Sequence, residues 1–110
     1  MADYKAPVKD MQFILENISR MPQLAQFTTF EDATPDMVSA ILEQAGRVSA
    51  EVLAPTNVVG DEQGVKLENG TVNIPDGFAE AYKQYAEGGW GSLQFDPEYG
   101  GQGLPYSLST

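Results

Sequence analysis

The chain has 110 residues, which suits one small domain and is too short for two. Sixteen Asp and Glu against six Lys and Arg give a net charge of -10, and the cations (Lys5, Lys9, Arg20, Arg47, Lys66, Lys83) are scattered, which argues against nucleic acid and anionic membranes as partners. With no Cys and no His, disulfides, the usual zinc sites, and thiol or imidazole catalysis drop out, and no metal site is expected.

Residues 1–9 read as extended, with Tyr4 and Val8 available for packing. Asp10 can then cap a short helix whose apolar positions are Met11, Ile14, Leu15 and Ile18. Met21-Pro22 should end it, because a residue before proline is pushed away from helical dihedrals.

The second helix has the clearest start. Thr34 is a good N-cap, Pro35 suits the first helical position, and Asp36 sits where the helix dipole favours negative charge. Met37, Val38, Ile41, Leu42, Ala45, Val48, Val52 and Leu53 form one broad apolar face. Pro55 is expected to stop this helix near residue 53, with a loop over residues 54–63.

A hairpin follows. Asn69-Gly70 fits a two-residue type I′ turn, which pairs Glu68 with Thr71, Leu67 with Val72, Lys66 with Asn73 and Val65 with Ile74. That register sorts Val65, Leu67, Val72 and Ile74 onto one face and the polar residues onto the other. A third helix opens at Pro75-Asp76, buries Phe78, Ala81, Tyr82 and Tyr85, and ends at Gly88-Gly89. Beyond Trp90 the chain is irregular, and Ser107-Leu108-Ser109-Thr110 reads as the start of a further element. The fold class is mainly α: a small helical domain with one β-hairpin.

Features with chemical potential are few. Gly100-Gly101-Gln102-Gly103 is not a phosphate loop, because no strand of a βαβ unit precedes it and the phosphate-binding Lys is missing; a tight turn needing positive φ fits better. Asp61-Glu62 and the pair Asp96 and Glu98 are more simply solvated surface than acid–base pairs. No positively charged start leads into an apolar run, and no stretch approaches the roughly 18 apolar residues of a membrane helix, so a cytoplasmic protein is expected.

Trp90-Gly91-Ser92-Leu93 followed by Pro97-Glu98-Tyr99-Gly100-Gly101-Gln102-Gly103 resembles a passage of the acyl-CoA dehydrogenases, where it closes one early helix and turns the chain into the next. Tyr4-Lys5-Ala6-Pro7 with Asp10-Met11 and Phe13, Glu43-Gln44-Ala45-Gly46, Val52-Leu53-Ala54-Pro55 and Leu67-Glu68-Asn69-Gly70 are similar to a larger bacterial subgroup of that family. The resemblance implies the N-terminal part of an acyl-CoA dehydrogenase-like fold. Residues 1–33 would be an N-terminal extension with one short helix, and residues 34–110 the first helices and hairpin of the N-terminal helical domain, truncated at 110.

The family reaction is FAD-dependent α,β-dehydrogenation of acyl-CoA thioesters. The resemblance places the flavin site and the catalytic Glu in later parts of such proteins, so it implies no catalytic and no cofactor-binding residue in this chain. The implied role is structural, in pocket wall and subunit packing, with a homo-oligomer as the assembled form. Acyl-CoA and an electron acceptor would be partners of the whole protein. Only Gly100, Gly101, Gly103, Leu104, Pro105 and Tyr106 are expected near the substrate pocket. The alternative is a free-standing helical binding or assembly module without catalysis.

Overall fold

Residues 3–110 are described by the computed structural model, so the expectation for residues 1 and 2 lies outside the described residues. Helix α1 (Val8–Phe13) starts earlier than the sequence suggests: Pro7, not Asp10, is its N-cap, and Asp10 lies in the first turn. No side chain caps this start; Pro7 only brings one backbone donor fewer to be left unpaired. The helix then widens into a π turn, Ile14–Ile18, closed by Ser19 N–H donating to the Ile14 carbonyl at 2.9 Å.

The chain leaves this helix at Arg20, which is left-handed (φ 54°). Met21-Pro22 therefore does not end α1; it opens a second short helix, α2 (Met21–Leu24), with Pro22 in its first turn, where a missing N–H costs nothing. Residues 1–33 thus carry more helix than the one short element expected. A 3₁₀ turn, Thr28–Phe30, leads on to Ala33, which is buried.

Helix α3 (Pro35–Val48) starts as its sequence dictates. Thr34 Oγ1 accepts from the Met37 N–H at 3.3 Å, Pro35 opens the first turn, and Val38 and Leu42 are buried. A β-carbon added at Gly46 would sit 3.4 Å from both Ala6 and Val8, so this small residue lets the start of the chain lie close along α3.

The expected stop at Pro55 does not occur. A π turn, Ser49–Leu53, leads directly into α4 (Pro55–Gln63), so residues 54–63 are almost wholly helical rather than a loop. In a regular helix Pro55 would collide with the carbonyl four residues back and leave it unpaired. The π turn changes the pairing: Ala54 N–H donates to the Ser49 carbonyl at 2.8 Å, and Pro55 becomes the first residue of a new helix. Thr56 Oγ1 donates to the Leu53 carbonyl at 2.6 Å, satisfying one acceptor at the junction.

Strands β1 (Lys66–Glu68) and β2 (Thr71–Asn73) pair antiparallel in the expected register, Lys66 with Asn73, Leu67 with Val72, Glu68 with Thr71. Asn69 (φ 51°) and Gly70 (φ 76°) both have the positive φ that a type I′ turn demands. Gly70→Ala should cost about 1 kcal/mol, because a Cβ is strained at that φ although the space around it is open. The hairpin pairs chiefly with itself, so the expected readout is local: amide exchange over residues 66–73 rises about fivefold in the variant. Unchanged exchange would show that the turn does not set the hairpin's stability.

Helix α5 (Phe78–Glu87) follows, capped by Gly77 in the left-handed region. Ala81 is buried and Phe78 and Tyr85 are half-buried, but Tyr82 is 71% exposed, so it does not belong to the expected buried stripe. Phe78, Ala81 and Tyr85 follow one another at successive turns of one face, while Tyr82 falls to the edge of that face and stays exposed. Phe78 packs over Gly60, where a Cβ would come within 2.8 Å of the ring, which brings α5 against α4. The helix ends at Gly88 and left-handed Gly89, as expected. The chain closes with 3₁₀ turns Trp90–Ser92 and Pro97–Tyr99 and helix α6 (Tyr106–Ser109).

One thin core joins the two halves of the chain: Leu15, Met21 and Ala33 meet Val38, Leu42, Leu93, Leu104 and Leu108. The molecule is a flat slab of 55 × 35 × 18 Å, with a radius of gyration of 17.1 Å against about 13 Å for a compact chain of this length. Its surface of 8016 Å² exceeds by roughly 2,000 Å² that of a folded monomer of its mass. The fold is therefore mainly α with one hairpin, and it leaves much apolar surface uncovered.

Candidate functional site

The glycine-rich passage is built by the segment before it. Asp96 Oδ1 accepts from the Glu98 N–H at 2.8 Å and fixes the 3₁₀ turn Pro97–Tyr99. Gly100, at φ 86°, reverses the chain. The returning strand of backbone then hydrogen-bonds along residues 92–96: Gly101 N–H to the Asp96 carbonyl (3.0 Å), Gln102 N–H to Ser92 (3.0 Å), Gly103 N–H to Phe95 (2.9 Å) and Leu104 N–H to Leu93 (2.8 Å). A Cβ at Gly101 would collide with the Phe95 backbone carbonyl, so this approach excludes any side chain. Gln102 Nε2 adds a bond to the Gly89 carbonyl at 2.9 Å, tying the loop to the end of α5.

This construction separates the six expected pocket residues by environment. Leu104 and Pro105 are buried, and Leu104 is part of the core. Gly101 and Gly103 are half-buried in the backbone ladder. Gly100 and Tyr106 are exposed, Tyr106 by 72%. The loop's own backbone donors at Gly101, Gln102, Gly103 and Leu104 are spent on carbonyls, so they are not free to cradle a phosphate.

An apolar groove of about 240 Å³ lies between α3 and the C-terminal segment. Ile41, Ala45, Val48, Tyr85, Trp90 and Leu108 line it, with Ser109 and Thr110 at one end. None of residues 100–106 does. The sequence places Ile41, Ala45, Val48 and Tyr85 on helical faces but does not show that α3, Trp90 and α6 share one hollow. Near its end Ser107 Oγ is shielded from solvent and has no hydrogen-bond partner among the described residues.

A wider hollow of about 710 Å³ lies between residues 4–10 and α3. Lys5, Lys9 and Arg47 line it together with Asp10, Glu43 and Glu51, so its charges balance and it presents no single-sign field. Among the described residues no three His, Cys, Asp or Glu side chains converge on a metal-sized site. No described helix is long and apolar enough to cross a membrane.

No protein-family model matches the chain. The chain is 42% identical over 102 residues to 3-methylmercaptopropionyl-CoA dehydrogenase of Ruegeria pomeroyi. The match covers 93% of this chain and 17% of that relative, so the chain spans about a sixth of the length of the curated protein it matches.

Proposed function

From its similarity to an acyl-CoA dehydrogenase over 93% of its length, we propose that this chain is the early helical layer of a flavoprotein that α,β-dehydrogenates acyl-CoA thioesters. The extent of the match carries the reading, because it covers 102 residues rather than one motif. In this reading residues 1–33 are an extension packed on the helical layer formed by residues 34–110.

FAD supplies the hydride acceptor of that reaction. The residues in hand do not build a site for it. The 240 Å³ groove is smaller than the usual 300–1,000 Å³ ligand pocket and has no cation to meet a pyrophosphate. The larger hollow is lined by as many carboxylates as cations and so presents no net positive field to a pyrophosphate. The resemblance assigns the flavin site and the catalytic Glu to later parts of a longer protein, and this chain takes a packing role. Gly100, Gly101, Gly103, Leu104, Pro105 and Tyr106 form the edge nearest the acyl pocket, with exposed Tyr106 the side chain free to reach it. The working form is a cytoplasmic homo-oligomer.

A second reading, a free-standing helical module, draws on the single core that joins Leu15 to Leu108. The two separate on one experiment. The polypeptide of the complete reading frame should copurify with flavin and reduce a dye with an acyl-CoA. The 110-residue chain should do neither. Flavin absorbance that stays with the short chain through gel filtration, or a complete reading frame that yields no flavoprotein, would sink the proposal.

A further inference from the structure

The hairpin is preorganised without being covered. Val65, Leu67, Val72 and Ile74 are 65%, 72%, 60% and 55% exposed, while Asn73 Nδ2 donates to Glu68 Oε2 at 3.3 Å on the opposite, polar face. A two-stranded hairpin is marginal by itself in water. This one is closed at both ends. The type I′ turn holds its tip, and at its base Gln63 Oε1 accepts from the Asp76 N–H at 3.0 Å while Gln63 Nε2 donates to Asp76 Oδ2 at 3.3 Å. Just outside that clamp Phe78 seats on Gly60. Clean sorting of apolar and polar residues between two faces is the pattern of a sheet with one face buried.

We infer that residues 65–74 form a docking arm whose apolar face seats on an apolar surface of the same, longer polypeptide. This rests on the reading given under Proposed function. Area selects the occupant. Four aliphatic side chains offer a few hundred Å², well below the roughly 800 Å² per partner of a stable complex between separate molecules. Within one polypeptide the docking surface is present at an effective millimolar concentration or higher, so a patch of this size suffices. The matched relative supplies the length: this chain spans only 17% of it. The arm carries Lys66 and Glu68 and hence no net charge, so the acidity of the whole chain does not oppose its docking.

The test is amide exchange over residues 66–73 in the isolated chain and in the polypeptide of the complete reading frame. Exchange should be at least about tenfold slower in the complete polypeptide. The double substitution Leu67→Lys with Val72→Glu, which keeps opposite charges across the pair, should abolish that protection there and leave the isolated chain's folding midpoint unchanged. Thr71→Lys, on the polar face, should leave exchange in both forms as it was. Equal exchange in a complete polypeptide that does bind flavin overturns the docking arm and leaves the proposed function standing. A reading frame that yields no flavoprotein overturns both. Protection in the isolated chain that rises with its concentration and is lost in the double variant would assign the face to a second copy and overturn the inference.

Discussion

Gly101→Ala is expected to unfold the C-terminal part of the chain. Gly101 lies where the glycine loop passes the Phe95 backbone, and an added Cβ would overlap the Phe95 carbonyl. A flexible side chain could move aside; a carbonyl held in a backbone ladder cannot. The clash sits between bonds made by Gly101, Gln102, Gly103 and Leu104 to residues 92–96, so relieving it separates the two segments. Leu104 and Leu108 are then drawn from a core that has few other large residues. Overpacking usually costs about 1–3 kcal/mol, and the lost core contacts add to it, so a destabilisation of at least about 3 kcal/mol is expected. Gly100→Ala is the control. There the φ of 86° is strained for alanine but nothing lies within reach of the new atom, so the cost should be about 1 kcal/mol. Urea midpoints of the two variants measure the difference. Equal midpoints would mean that the loop is not held against residue 95 in solution.

The isolated chain is expected to self-associate, more strongly as salt is added. The resemblance implies that Met37, Ile41, Val48 and Val52, and Phe78, Tyr82, Tyr85 and Trp90, pack against later parts of a longer protein and lose that cover in the isolated chain. The structure reassigns most of it. Ile41 and Trp90 pack against the core, whereas Phe13, Ile14 and Ile18 are 61%, 47% and 68% exposed on the first helical segment, and Phe27 is 63% exposed nearby in sequence. Met37 and Tyr82 remain outward. Covering about 800 Å² of apolar area yields about 20 kcal/mol gross, against an association cost of about 4–15 kcal/mol. The net charge of -10 opposes contact between copies, and raising ionic strength from 0.01 to 1 M shortens the screening length from about 30 to about 3 Å. Light scattering coupled to gel filtration should show a mass above 11.9 kDa that grows with salt and concentration. The hairpin variant Leu67→Lys with Val72→Glu should not prevent this, because its patch is the smaller one. A sharp monomer at all salts would show that the slab needs no cover.

Local rules determined much of this protein from sequence alone. Thr34-Pro35-Asp36 set the start of α3, because a cap, a preset φ and a favoured charge all act within one turn. Asn69-Gly70 set the hairpin register for the same reason: two positive φ values leave one pairing. The glycine loop was legible as a turn, and the similarity to acyl-CoA dehydrogenases was legible in its residues. The placement of residues 100–106 beside a substrate pocket remains part of the proposal.

Only tertiary structure decided how the helices continue. Pro22 and Pro55 both read as stops, yet each opens a helix. A left-handed Arg20 precedes one, and a π turn that shifts the hydrogen-bond register precedes the other, and propensity does not encode either device. Burial was likewise undecided by periodicity. Tyr82 and the four hairpin aliphatics have core chemistry at core spacing but face outward, because a side chain's period fixes which face it shares and not whether anything covers that face. Cover depends on what the chain packs against, and a slab 18 Å thick has too little depth to cover both of its faces from within.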